Sequence, residues 1–206
     1  MIEICAITAE PPPPLPASDN LHAVRSAGLV ALCTPAEDQS LTPAVLWSRE
    51  EMLEKLMEQC DLLPVRYGSR VEDDAAVARV LTERQGQLAE ALERVRGAVE
   101  VAVRVLQTDG ASSTTEAPPE SGADYLRSKA RHGQVAKDVH EALGRLARAS
   151  TEQPGRAGSE VLRAAYLVDR GAVGSFVERV AELEKAKPQL RLLCTGPWPP
   201  YSFTSG

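Results

Sequence analysis

Apolar positions along this chain switch between alternation, short continuous runs and helical stripes. Ile2–Thr8 alternates around small and β-branched residues and predicts a first strand. Leu21–Arg25 and Leu29–Cys33 are short apolar runs on either side of Ser26-Ala27-Gly28, the pattern of a hairpin. Thr42-Pro43 places a capping residue before proline at a first helical position. Val45, Leu46, Met52, Leu53, Leu56, Met57 and Cys60 then mark one helical face, with Arg49-Glu50-Glu51 expected mostly on the wet side. Trp47 falls off that stripe, so it either caps the core edge or sits on a partner surface.

Leu62–Gly68 predicts a short strand leading into a turn. Pro64 cannot donate to a ladder and belongs on an edge or at a bulge, and Gly68 permits φ > 0. Ser69, Glu72, Asp73 and Asp74 suit the N-terminus of a helix over Asp73–Arg96, with Gly86 inside it and Gly97 ending it. Val99–Val105 alternates almost without fault and predicts another strand. The expected class is α+β. Its N-terminal domain is a ferredoxin-like variant, a mixed or antiparallel sheet with helices on one face and one strand added.

Gln107–Gly122 is rich in Gly, Ser, Thr, Pro and Glu and almost free of apolar residues. A linker over 108–122 is expected to separate an N-terminal α+β domain, 1–107, from a smaller C-terminal α+β domain, 123–206. The second part reads as a long helix from Ala123 to Ala149, a turn-rich break over Ser150–Gly158, a strand over Val161–Val168, a helix striped by Val173, Phe176, Val177, Val180 and Leu183, and a strand over Leu190–Cys194. It ends in Thr195–Phe203, where three prolines and a glycine exclude helix and a place inside a sheet. This tail carries Trp198, Tyr201 and Phe203 in a chain with only 4% aromatics. Either it closes the core of the second domain or it grips a partner. The early run Pro11–Pro14 predicts a stiff extended loop.

A net charge of −6 without a basic tail excludes a broad nucleic-acid footprint. No window approaches the roughly 20 apolar residues of a membrane span. The start, Met1-Ile2-Glu3-Ile4, lacks the basic region of a secretory signal. Cys5, Cys33, Cys60 and Cys194 form no metal-ligand pattern and read as reduced core cysteines. His132 and His140 lie two helical turns apart, too far to share a metal without further ligands. No phosphate-binding loop, nucleophile elbow or zinc-protease motif occurs, and carboxylates such as Glu90 and Glu93 sit beside bases such as Arg94 on helix faces. No catalytic residue, cofactor or metal is expected.

Two segments carry a resemblance to a known family. Gly196-Pro197-Trp198-Pro199-Pro200-Tyr201-Ser202-Phe203 resembles the closing signature of the GvpL/GvpF family of gas vesicle proteins, and Leu63-Pro64-Val65-Arg66-Tyr67-Gly68-Ser69 resembles its internal signature. Tyr67 stands where phenylalanine is usual and Ser69 where threonine is usual. The resemblance implies two α+β domains and an accessory or minor structural role in gas vesicles. It implies no enzyme activity, a place at the gas vesicle in the cytoplasm, and binding to the hydrophobic shell protein (GvpA-type) and to other accessory proteins during nucleation and assembly. Pro64, Arg66, Tyr67, Gly68, Trp198, Tyr201 and Phe203 are the partner-contact residues expected on that basis. The alternative is a ligand-sensing or catalytic module on a ferredoxin-like scaffold, which a deep pocket with converging charged groups would support.

Overall fold

The computed structural model describes residues 1–9, 20–36, 42–108, 122–153 and 160–204, with side chains omitted over 122–132. The Pro11–Pro14 run, most of the expected linker and the His132 side chain lie outside the described residues.

The chain divides into two compact units, Met1–Val99 with Trp198–Gly206, and Glu100–Pro197. This division differs from the expected boundaries at both ends. The strand that begins at Ala98 belongs to the second sheet, and the aromatic tail groups with the first unit.

In the first unit, β1 (Ile2–Ala9), β2 (His22–Ser26), β3 (Leu29–Pro35), β4 (Leu62–Pro64) and β5 (Arg70–Val71) form a sheet in the order β2-β3-β1-β4, with β5 also pairing β1. β1 runs antiparallel to β3, β4 and β5. The β2–β3 hairpin turns through Ala27 and Gly28, both at positive φ (52° and 76°), as a two-residue primed turn requires. Leu29–Cys33 and Glu3–Thr8 are buried at every position, so both faces of these strands are covered, beyond what helices on one face supply. Pro64 sits at the sheet edge, where its missing N–H breaks no ladder.

Helix α1 (Pro43–Gln59) starts at Thr42, whose hydroxyl accepts from the Val45 N–H. Met52, Leu53, Leu56 and Met57 are buried on its inner face. The long helix expected over Asp73–Arg96 is two helices, α2 (Asp74–Glu83) and α3 (Gln85–Val95), broken at Arg84. Asp73 caps α2 by accepting from the Ala76 N–H at 2.8 Å. The break lets each short helix turn its own stripe inward: Val77 and Leu81, then Leu88, Leu92 and Val95.

The second unit contains β6 (Ala98–Gln107), α4 (Gly122–Gly144), β7 (Ala149–Gln153), β8 (Glu160–Asp169), α5 (Val173–Ala186) and β9 (Leu190–Trp198), with sheet order β7-β8-β6-β9. This β-α-β-β-α-β sequence with the first strand between the third and fourth is the ferredoxin-like plan in full. The first unit has the same strand order, but the segment between β1 and β2 has no described helix, and α2 and α3 follow the last strand. The core of the second unit gathers Val101, Val103 and Val105 from β6, Val139 and Leu143 from α4, Tyr166 and Val168 from β8, and Phe176 and Val180 from α5. Strand β7 lies where a turn-rich break was expected. Its residues Ala-Ser-Thr-Glu-Gln lack apolar alternation because it is an edge strand with mostly exposed positions. Strand β9 runs on through Gly196 and Pro197, which its own edge position tolerates.

Candidate functional site

Helix α1 carries an arginine in its buried stripe. Arg49 lies three and four residues before Met52 and Leu53, so the helical repeat turns it toward the sheet, and only 8% of it is exposed. This reverses the expectation that Arg49 is on the wet side. Its partner is Glu3 of β1, also buried, and the two form an ion pair through Nη1 and Oε1. Nη2 donates to the Val65 carbonyl at 2.8 Å, to the Ile4 carbonyl at 3.3 Å and to the Cys5 carbonyl at 3.4 Å. A buried charge is tolerated only when paired and hydrogen-bonded, and this guanidinium is both.

The Leu63–Ser69 segment wraps this pair. Besides the Val65 carbonyl, the Tyr67 ring lies 5.5 Å from the guanidinium carbon, a cation–π contact. The Gly68 N–H donates to Glu3 Oε1 at 3.2 Å, and Gly68 adopts φ +82°, a conformation that a side chain disfavours. Ser69 closes the turn by donating N–H and hydroxyl to the Arg66 carbonyl. Arg70 Nε lies 4.0 Å from Glu3 Oε2.

The tail meets the next residue of the same helix. The Tyr201 hydroxyl donates to Glu50 Oε1 at 2.8 Å. Burial, reinforced by the Glu50 carboxylate, pushes the Tyr201 phenol above its usual range. Residues 201–203 form a single 3-10 turn, with the Phe203 N–H bonded to the Pro200 carbonyl and Arg94 Nη1 donating to the Phe203 carbonyl. Phe203, Pro199 and Pro200 are buried and Trp198 is half-buried. The tail thus packs into the first unit, whereas the sequence placed it with the second domain.

Of the expected contact residues, Arg66 and Gly68 are exposed, Tyr67, Trp198 and Tyr201 are half-buried, and Pro64 and Phe203 are buried. The two segments come together on adjacent residues of α1, Arg49 and Glu50. Glu3, Arg49 and Glu50 were not singled out from the sequence. The available signal was a charged residue at a stripe position of α1 and another inside an apolar strand.

A cavity of about 410 Å³ adjoins the ion pair, lined among others by Glu3, Cys5, Thr34, Ser48, Arg49, Met52 and Tyr67. Its charged groups neutralise each other. Burial raises the Cys5 thiol above its usual pKa even with Arg49 nearby, which keeps it protonated and unreactive. Among the described residues no cluster could hold a metal ion, and no helix is long and apolar enough to cross a membrane. His140 is occupied by the Tyr166 hydroxyl at 3.0 Å.

The chain is 37% identical over 166 residues to gas vesicle protein L of a Streptomyces species, covering 68% of this chain and 61% of that relative. It is 26% identical to gas vesicle protein F2 of Halobacterium salinarum, covering 87% and 76%. The fold matches the crystal structure of the gas vesicle protein GvpF from Anabaena with a TM-score of 0.82 at 20% identity, covering 100% of this chain and 96% of that one. The sequence profile of the family described as gas vesicle synthesis protein GvpL/GvpF matches residues 5–205, and the chain belongs to that family.

Proposed function

We propose that this protein serves gas vesicle formation as a non-catalytic partner of the hydrophobic shell protein and of other accessory proteins. It acts during nucleation and assembly, at the gas vesicle in the cytoplasm. A shell that is wettable outside and apolar inside needs a subunit with exposed apolar surface, which aggregates unless something covers it. The observation that supports this reading is the convergence of both family signature segments on Arg49 and Glu50, with the buried Arg49 and Glu3 charges paired to each other. In this reading Pro64 and Phe203 form the frame, and Arg66, Tyr67, Gly68, Trp198 and Tyr201 form the contact. Their aromatic surface is held rigid and so binds at low entropic cost.

Co-expression with the shell protein and accessory proteins of the same gene cluster, followed by affinity capture, tests this. The shell protein is retained by the native chain. Arg66→Ala and Trp198→Ala chains that keep their melting midpoint retain less. Absence of retention, together with normal vesicles in a deletion strain, overturns the reading.

A further inference from the structure

Helix α1 turns one face inward and leaves the opposite face open. Trp47 is 69% exposed, and Leu46 beside it is 38% exposed. Glu51, Glu54 and Glu58 follow Trp47 at four, seven and eleven positions, so the four residues form one straight stripe about 16 Å long. Glu51 is paired with Lys55, whereas Glu54 and Glu58 make no ion pair with a described residue. An exposed tryptophan at the head of a carboxylate row is a mixed surface: one large aromatic anchor and a negative rim.

We infer that this stripe docks a cationic amphipathic helix of a partner protein. Charge complementarity selects that occupant. The carboxylates repel nucleic-acid phosphate and anionic lipid headgroups, and they attract lysine or arginine. A helix supplies cations at the same three- and four-residue spacing as the glutamates, and either an apolar residue or a guanidinium covers the Trp47 ring. The stripe shares no residue with the proposed shell-protein contact, so the two readings stand or fall separately.

The test uses the full chain and two labelled synthetic peptides of about 18 residues with one apolar face, their polar face carrying lysines in one and glutamates in the other. Fluorescence anisotropy gives the lysine peptide at least about tenfold tighter binding than the glutamate peptide. Trp47→Ala weakens it about fivefold or more, and Glu54→Lys with Glu58→Lys abolishes the preference. Raising salt from about 50 to about 500 mM weakens the native complex. Trp47 and Glu58 are exposed and Glu54 is half-buried, and unchanged melting midpoints confirm intact folds. If the lysine peptide does not bind, if both peptides bind alike, or if Trp47→Ala leaves binding unchanged, the inference is overturned. The peptide comparison on the native chain decides the matter even where a variant misfolds.

Discussion

The Tyr201 hydroxyl reaches the Glu50 carboxylate at 2.8 Å across 151 positions of sequence. That bond fixes the tail to α1. Tyr201→Phe should cost about 1.5 kcal/mol, the low end for a hydrogen bond to a charged group, because the site is half-buried. Phe203→Ala should cost about 3–5 kcal/mol. Hydrogen exchange locates the effect: protection falls in α1 and is retained in α5. Loss confined to α5 would place the tail elsewhere.

The buried pair of Glu3 and Arg49 gives a second expectation. Arg49→Met leaves Glu3 charged and without its main partner, which should cost about 3–5 kcal/mol, whereas Glu3→Gln with Arg49→Met costs clearly less than the two single changes summed. Urea denaturation of the four chains measures the coupling. Simple additivity would mean that the pair does not act as a unit.

Alkali should destabilise the folded protein through its buried thiols and phenols. Burial raises the Cys33 thiol from 9.0 to about 12, and it raises Cys5, Tyr166 and Tyr201 in the same direction. The folded state therefore holds these protons more tightly than the unfolded chain. The stability they contribute is complete below pH 9 and is lost as pH rises from 9 toward 12, at about 1.4 kcal/mol per pH unit for one such group. Cys33→Val should flatten that decline in denaturant midpoints measured across this range, and an unchanged slope would remove Cys33 from the account.

Gly68 has open space around its missing side chain but a φ of +82°. Gly68→Ala should therefore cost about 1–2 kcal/mol through the backbone alone, and Gly68→Asn less. Equal melting midpoints for glycine and alanine would show that the turn relaxes to another conformation.

Much of this architecture was legible because its signals are local. The alternation of Val99–Val105, the Thr42-Pro43 helix start and the edge proline at Pro64 each follow from a few neighbouring residues. The same holds for the two family segments. What was hidden depends on pairing at a distance. Strand β7 has no pattern of its own and exists because β8 pairs with it. Arg49 is an ordinary polar residue in a helix until Glu3, 46 positions away, makes its burial possible. The domain boundary fell at the most polar stretch in the sequence, yet strand β6 joins partners that follow it in the chain, and contacts divide the molecule at residue 99.

The return of Trp198–Gly206 to the first unit also orders events during synthesis. Phe203 and the prolines before it fill space among residues translated more than a hundred positions earlier. Met1–Val99 stays unfinished on the ribosome until the whole of the second unit has emerged. A chain stalled anywhere before the tail therefore exposes the gap that the tail would occupy, and the first unit closes only once that segment is present.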